Sequence, residues 1–133
     1  MKSNFFLFLM SLLALVSCSK NNTSKEENKP KKVKYEVFMT DYSKGSIFIS
    51  YLDKDSKSVF DFQLKNGSFI YEFETFGNFS ASMQTHVKDL ENNVVFEPEI
   101  PRTMRIYVDD KVVAEKITKE TFEELQYFIP VKL

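Results

Sequence analysis

Alternation of apolar and polar side chains dominates the chain from Val33 onward. Residues 33–39 and 46–52 place an apolar or aromatic side chain at nearly every second position. Successive side chains of a β-strand point to opposite faces, so this period of two predicts strands with one buried face. No heptad, internal repeat or sustained helical period competes with it. The pattern therefore restricts the fold to the all-β class.

Turn signals separate these runs at short intervals. Asn66-Gly67 is a strong hairpin signal, because both residues tolerate positive φ. Asp53-Lys54-Asp55-Ser56 and Asp109-Asp110 are further polar turns. About seven or eight short strands in roughly 100 residues predict an antiparallel, immunoglobulin-like β-sandwich. Residues 33–133 contain 11 Phe and 6 Tyr, which supply large side chains for its core.

Two segments near the end of the chain are less clear. Residues 88–101 form the longest irregular stretch. Thr121-Phe122-Glu123-Glu124 fits a capping box and a short helix. Tyr127-Phe128-Ile129 instead fits a strand, which Pro130 would confine to a sheet edge. The sequence leaves helix and strand open for this tail.

The amino terminus carries the pattern of an export signal. Residues 5–16 form an apolar run of 12 residues in which only Ser11 is polar. A membrane-spanning helix needs about 20 apolar residues, so this run is too short to span. Its length fits the apolar core of a secretory signal peptide. We therefore expect an exported protein.

Leu15-Val16-Ser17-Cys18 resembles the lipobox of bacterial lipoprotein signal peptides, and it directly follows the apolar run. The resemblance implies cleavage before Cys18, a diacylglyceryl thioether on its sulfur and acylation of the new amino group, as with palmitate. Each buried methylene adds about 0.8 kcal/mol of membrane affinity, so several acyl chains anchor a protein durably. The alternative is an ordinary signal peptide with a cysteine near its cleavage site.

Residues 19–32 lack any apolar side chain, which predicts a disordered tether. Its reach is roughly 20 Å. The predicted organisation is a signal peptide at 1–17, a lipidated Cys18 with tether at 18–32, and a β-sandwich at 33–133. The tether is either a basic segment along anionic head groups or a solvated spacer. Ser19 and Lys20 lack the acid that retains some lipoproteins at the inner membrane, which favours the outer membrane over the inner membrane as the location in the periplasmic envelope.

Three segments together are similar to one known family. They are Val33-Lys34-Tyr35-Glu36-Val37, residues 47–53 and residues 105–113, with residues 77–84 similar as well. This combination resembles the MmpS-like proteins, small membrane-attached β-sandwich domains whose best-known members accompany resistance–nodulation–division exporters. The resemblance implies a noncatalytic transport accessory with an exporter component as partner. Family members usually carry a transmembrane helix, a Trp and a turn Gly where this chain has a lipobox, no Trp and Asp110.

A catalytic centre has few possible components. His86 is the only histidine, so a site with several imidazoles is excluded. Ser80, Ser82 and Asp89 lie near His86 in sequence, but none belongs to a nucleophile-elbow pattern. Strand alternation alone places Ser82 and His86 on one face, so an exposed polar face is the simpler interpretation. We expect no enzyme activity.

Acidic pairs are the only candidates for a metal site. They are Asp53 with Asp55, and Glu97 with Glu99. An EF-hand beginning at Asp53 fails, because Ser58 and Leu64 occupy the places of its glycine and its bidentate glutamate. Three scattered glycines form no phosphate-binding loop, and a net charge of −1 does not favour nucleic acid. We expect no cofactor, no metal and no nucleic-acid partner.

The sequence therefore favours a lipid-anchored binding or accessory module of the cell envelope. The membrane would be contacted through lipid on Cys18, and an envelope protein such as an exporter component would be the partner. Tyr107 and Phe76 are candidate residues of a partner surface, unless the fold covers them. The alternative is a carrier for a small apolar ligand or lipid, with its Phe-rich core opened into a cavity. A hydrolase that uses His86 is a third and weaker hypothesis.

Overall fold

The computed structural model describes residues 29–39, 45–64, 67–88, 91 and 100–131. Every regular element in these ranges is a β-strand. The strands are β1 (Lys31–Met39), β2 (Ser46–Leu52), β3 (Ser58–Leu64), β4 (Ser68–Thr75), β5 (Phe79–Lys88), β6 (Arg102–Val108), β7 (Lys111–Thr118) and β8 (Phe122–Ile129).

The eight strands form two sheets of four. The first sheet has the order β4-β1-β6-β7 and the second β3-β2-β5-β8. Every neighbouring pair is antiparallel. The prediction of an all-β antiparallel sandwich is confirmed. Lys31 and Lys32 already pair with Thr75 and Glu74, so the first strand begins two residues before the predicted boundary.

The core lies between the inward faces of the two sheets. In β1 and β5 alternate residues are almost fully buried, as the period of two predicts. Burying one large aliphatic side chain contributes about 1.5–3 kcal/mol. The buried apolar residues are Val33, Tyr35, Val37, Met39, Ile47, Ile49, Leu64, Phe69, Phe73, Phe79, Ala81, Met83, Val87, Ile100, Met104, Ile106, Leu125 and Ile129.

Tyr35 is the centre of an aromatic cluster in this core. Its ring contacts Tyr51 of the opposite sheet at 6.0 Å between centroids and Phe73 at 5.5 Å. Its hydroxyl accepts a hydrogen bond from the backbone N–H of Ser82 at 3.3 Å. Burial raises the pKa of this hydroxyl well above its usual value. The two sheets are thus joined by packing and by a satisfied polar group.

The tail is a strand. Eight residues of β8 pair with β5, from Phe79 opposite Ile129 to His86 opposite Phe122. The side chains of Leu125 and Ile129 are buried in the core. The strand is therefore stabilised by burial of its apolar side. This pairing decides between the two alternatives that the sequence leaves open.

The hairpin predicted at Asn66-Gly67 is wrong. β3 and β4, which flank it, lie in different sheets and do not pair. Gly67 has φ of 35°, and its carbonyl accepts a hydrogen bond from the N–H of Met39 at 2.9 Å. The connection therefore crosses from one sheet to the other. Turn-forming residues indicate that the chain changes direction. They do not indicate whether the next strand pairs with the preceding one or joins the other sheet.

The chain enters the sandwich beside the β6–β7 turn. The N–H of Lys32 donates to Asp109 Oδ1 at 3.0 Å, and the N–H of Asp109 donates to the carbonyl of Lys32 at 2.8 Å. Gly77 lies at the same end with φ of 94°, where an added Cβ would come within 2.8 Å of the Pro130 carbonyl oxygen. We call this the entry end, and the end that holds Ile100 and Arg102 the far end.

The signal peptide, Cys18, residues 19–28 and most of the irregular stretch at 88–101 lie outside the described residues. Within the described ranges no helix has the length and apolar character needed to cross a membrane.

Candidate functional site

His86 belongs to an outer sheet surface. Its ring stacks on Phe48 at 5.4 Å between centroids, with 22° between the planes. Ser82 lies four residues away on the same strand, which corresponds to about 13 Å. The Ser82 hydroxyl is within hydrogen-bond distance of Glu124 Oε1, at 3.3 Å. The distance from Ser82 to His86 prevents the serine–histidine contact of a catalytic triad.

Asp53 stabilises its own turn. Its Oδ1 atom accepts hydrogen bonds from the N–H groups of Asp55 at 2.9 Å and Lys57 at 2.8 Å. This is the local bonding expected of an aspartate in a tight turn. Across the part of the chain that the structure describes, no three His, Cys, Asp or Glu side chains group as metal ligands. Glu97 and Glu99 lie outside that part.

A network of ion pairs lies on the outer surface of the first sheet, beside the exposed side chains of Ile70 and Ile117, and we call its residues the charged face. It is formed by Lys32, Lys34, Glu36, Glu72, Arg105, Tyr107 and Glu115. Glu36 accepts a hydrogen bond from the Tyr107 hydroxyl at 2.6 Å and lies 3.5 Å from Arg105 Nη1. Arg105 Nε also donates to Glu115 Oε2, and this bond raises the pKa of the guanidinium.

Tyr107 is therefore part of this network. Lys34 Nζ lies 3.8 Å from the centroid of its ring. The bond to Glu36 raises the pKa of the Tyr107 hydroxyl. Phe76, the other aromatic residue proposed from the sequence, is 61% exposed at the entry end.

The outer surface of the second sheet has a different chemistry. We call it the polar face, formed by Ser50, Phe60, Ser82, Gln84, Glu124 and Gln126. Ser50 pairs with Gln84, and Gln84 with Glu124, so one row of side chains crosses three strands. Ser82 pairs with Gln126 in the next row. Leu52 and Ser58 continue that row on β2 and β3.

A β-bulge places Phe60 at the end of the first row. The register of β2 with β3 shifts between Ile49 and Tyr51, which leaves two residues of β3, Phe60 and Asp61, opposite the single residue Ser50. Bulges re-aim a side chain and often occur next to functional sites. Phe60 is 71% exposed, and it lines a shallow cleft of about 130 Å³ together with Ser50, Ser82 and Gln84.

Glu124 is the hydrogen-bonding centre of the polar face. Its Oε1 atom accepts hydrogen bonds from the side-chain amides of Gln126 at 2.5 Å and Gln84 at 3.2 Å. These bonds, and then the contact with Ser82, lower the pKa of the carboxyl. An ionised carboxylate therefore fixes the orientation of two side-chain amides, one on β5 and one on β8.

Arg102 is a residue whose role the sequence reasoning missed. Its side chain is 2% exposed in the core at the far end. Nε donates to Thr85 Oγ1 at 2.7 Å, and Nη1 reaches the Ile100 carbonyl at 3.4 Å. Among the residues that the structure describes, Nη2 has no hydrogen-bond partner. Burial lowers the pKa of the guanidinium to about 10. The signal was present, because Arg102 shares the inward alternation of Met104 and Ile106.

The comparison with known protein families assigns the chain. A family model described as Mycobacterium membrane protein matches residues 8–128, which is most of the chain. The chain belongs to this family. No curated protein matches it. The resemblance to MmpS-like proteins is confirmed, and the protein is a membrane-associated accessory protein of this family.

Proposed function

We propose that this Mycobacterium membrane protein family member is a lipid-anchored, noncatalytic accessory module of the cell envelope. Three observations support the proposal: the family match, the lipobox at residues 15–18 and the β-sandwich fold. The observation that most supports the proposal is the place where the chain enters the sandwich. The chain reaches the sandwich at one end, beside Asp109, so an anchor at Cys18 leaves both outer faces and the far end accessible.

The chemistry of the described residues agrees with a noncatalytic role. His86 stacks on Phe48, and Ser82 contacts Glu124, so the residues considered for hydrolysis have other structural contacts. The carrier alternative receives no support from the packing. The space between the sheets is filled by fully buried side chains, among them Tyr35, Met83 and Met104.

Cys18→Ser tests the anchor. The substitution should release the protein from membranes or stall its processing, because an oxygen cannot form the diacylglyceryl thioether. Ser24→Ala, in the same tether, is the matched control and should behave as the unaltered protein. Membrane fractionation with intact-mass analysis measures both effects. Unchanged membrane retention and mature mass in Cys18→Ser would disprove the anchor.

An exporter component is the partner that we propose. Crosslinking in intact cells, with photoreactive groups placed at the exposed residues Ile117 and Ile70, would capture a protein bound to the charged face. Mass spectrometry should then recover an export protein of the envelope. Recovery of no envelope protein above the background of uncrosslinked cells would contradict this partnership.

A further inference from the structure

We infer that the polar face binds a neutral glycan chain of the cell wall. The inference rests on the proposed function for its location in the envelope, and on the side chains of the second sheet for its chemistry. It adds a ligand to the accessory role.

The first argument is the kind of polar group that the face presents. The two central rows contain Ser50, Phe60, Gln84 and Glu124 in one and Leu52, Ser58, Ser82 and Gln126 in the other. Glu124 is the only ionisable side chain among these eight. Hydroxyls and amides both donate and accept hydrogen bonds, which matches the hydroxyl groups of a sugar. These two rows hold no cation, and Glu124 would repel an anionic ligand; Lys88, on the same outer surface, has its Nζ over the Phe48 ring at 3.9 Å from the centroid.

The second argument is the exposed ring of Phe60. A sugar ring presents a face of C–H groups that packs against an aromatic ring, and its hydroxyls point outward from the edge. The bulge in β3 leaves Phe60 71% exposed beside the cleft, within one strand of Ser50. A solvent-exposed Phe loses apolar contact with water when such a ring covers it. The Phe48 ring on the same outer surface already contacts His86 and Lys88, so stacking of a sugar ring depends on Phe60.

The third argument is preorganisation. Glu124 holds the side-chain amides of Gln84 and Gln126 in fixed positions, at 3.2 and 2.5 Å. Side chains that are already ordered lose less conformational entropy when a ligand binds. The row from Phe60 to Glu124 crosses four strands, a length of about 14 Å at the usual strand spacing. This length suits several sugar rings in succession, so the ligand is a chain and not a single sugar.

The test uses the full-length matured protein in detergent micelles. The probe is the hexamer of β-1,4-linked N-acetylglucosamine, with the monomer and heparin, a polyanion, as comparison ligands. Titration calorimetry should show saturable binding of the hexamer, about tenfold or more tighter than the monomer. The absence of saturable hexamer binding, or a preference for heparin, would overturn the inference.

Two variants connect binding to the face. Phe60→Ala should weaken hexamer binding about tenfold, and Gln84→Ala about threefold to tenfold. Ile117→Ala is the matched control, because Ile117 is 74% exposed on the outer surface of the first sheet. It should bind the hexamer as the unaltered protein does. An equal loss in Ile117→Ala and Phe60→Ala would overturn the assignment to the polar face.

The result is separable from the proposed function. If the hexamer does not bind while Cys18→Ser still releases the protein from membranes, the glycan site is wrong and the anchored module stands. Circular dichroism of each variant shows that a loss of binding is not a loss of folding.

Discussion

The charged face and the polar face are the two outer surfaces of one sandwich, and each is four strands wide. On the charged face the polar groups are ions that pair across strands, as Arg105 does with Glu36 and Glu115. On the polar face they are hydroxyls and amides arranged around one carboxylate, Glu124. Two sheets with the same number of antiparallel strands therefore present outer surfaces of different chemistry. The charges of one face mostly engage each other, and the neutral groups of the other suit an uncharged ligand.

The largest expected effect concerns a charge that lacks such pairing. Arg102 and Arg105 lie on the same strand, but Arg102 points into the core, and within the described ranges its Nη2 meets no hydrogen-bond partner. Replacing a buried ion by an apolar side chain of similar volume is often neutral or stabilising, by up to about 4 kcal/mol. Arg102→Met should therefore raise the free energy of unfolding by about 1–4 kcal/mol, measured by denaturant titration at pH 7.

The matched control for that variant is Arg105→Met on the charged face. It removes paired but partly exposed charges, so it should lower the free energy of unfolding by no more than about 1 kcal/mol. A higher free energy of unfolding for Arg102→Met and a lower one for Arg105→Met would support the contrast between the buried and the paired charge. If Arg102→Met is clearly less stable than the unaltered protein, the buried guanidinium is a net stabilising group and the comparison fails.

The two faces should also respond oppositely to pH. The Tyr107 hydroxyl on the charged face has a pKa raised above 10.0, so its stabilising contribution is present below pH 10.0 and is lost as pH rises through the raised value. Glu124 on the polar face has a pKa lowered from 4.5. Its contribution is present above pH 4.5 and is lost as pH falls through the lowered value.

Tyr107→Phe should therefore reduce the loss of stability in base, and Glu124→Gln the loss in acid. Each effect should be less than about 1 kcal/mol, because water screens partly exposed groups. Melting temperatures of both variants, measured from pH 3 to pH 11, show the loss of stability in acid and in base. A change of the acid loss in Tyr107→Phe, or of the basic loss in Glu124→Gln, would contradict the assignment of these groups.

The smallest effect is expected in the β6–β7 turn, at the edge of the charged face. Asp109 and Asp110 have φ of 51° and 62°, which L-residues adopt only with strain. Asp110→Gly should be neutral or stabilise by less than about 1 kcal/mol, since Lys32 keeps its contact with Glu72 at 3.6 Å. Asp110→Ala is the control and should destabilise. A clear drop in the melting temperature of Asp110→Gly would show that the carboxylate matters more than the backbone strain.

Much of the fold was predictable from local pattern. The alternation in residues 33–39 and 46–52 indicated both the strands and their buried sides, because the side-chain period of a strand is fixed. The polar turn at Asp109-Asp110 was also predictable from local sequence, because aspartate side chains favour turns. The alternation also placed Ser80, Ser82, Gln84 and His86 on one side of a strand, before any neighbouring strand was known.

The polar face itself was not predictable in this way. It joins Ser50, Gln84 and Glu124, which are far apart in sequence and meet only because β2, β5 and β8 pair. The bulge that exposes Phe60 is a property of the pairing of two strands, not of β3 alone. The burial of Arg102 was visible as alternation, but its unpartnered Nη2 depends on what surrounds it at the far end.

The sequence by itself determined the all-β class, the inward side of most strands and the position of the β6–β7 turn. These are local properties, set by sterics and by the two-residue period. Only the tertiary structure decided that β3 and β4 belong to different sheets, that the tail is a strand, and which outer face holds the ion pairs and which the hydroxyls and amides. Those outcomes depend on long-range pairing, in which each strand takes the partner that buries its apolar side.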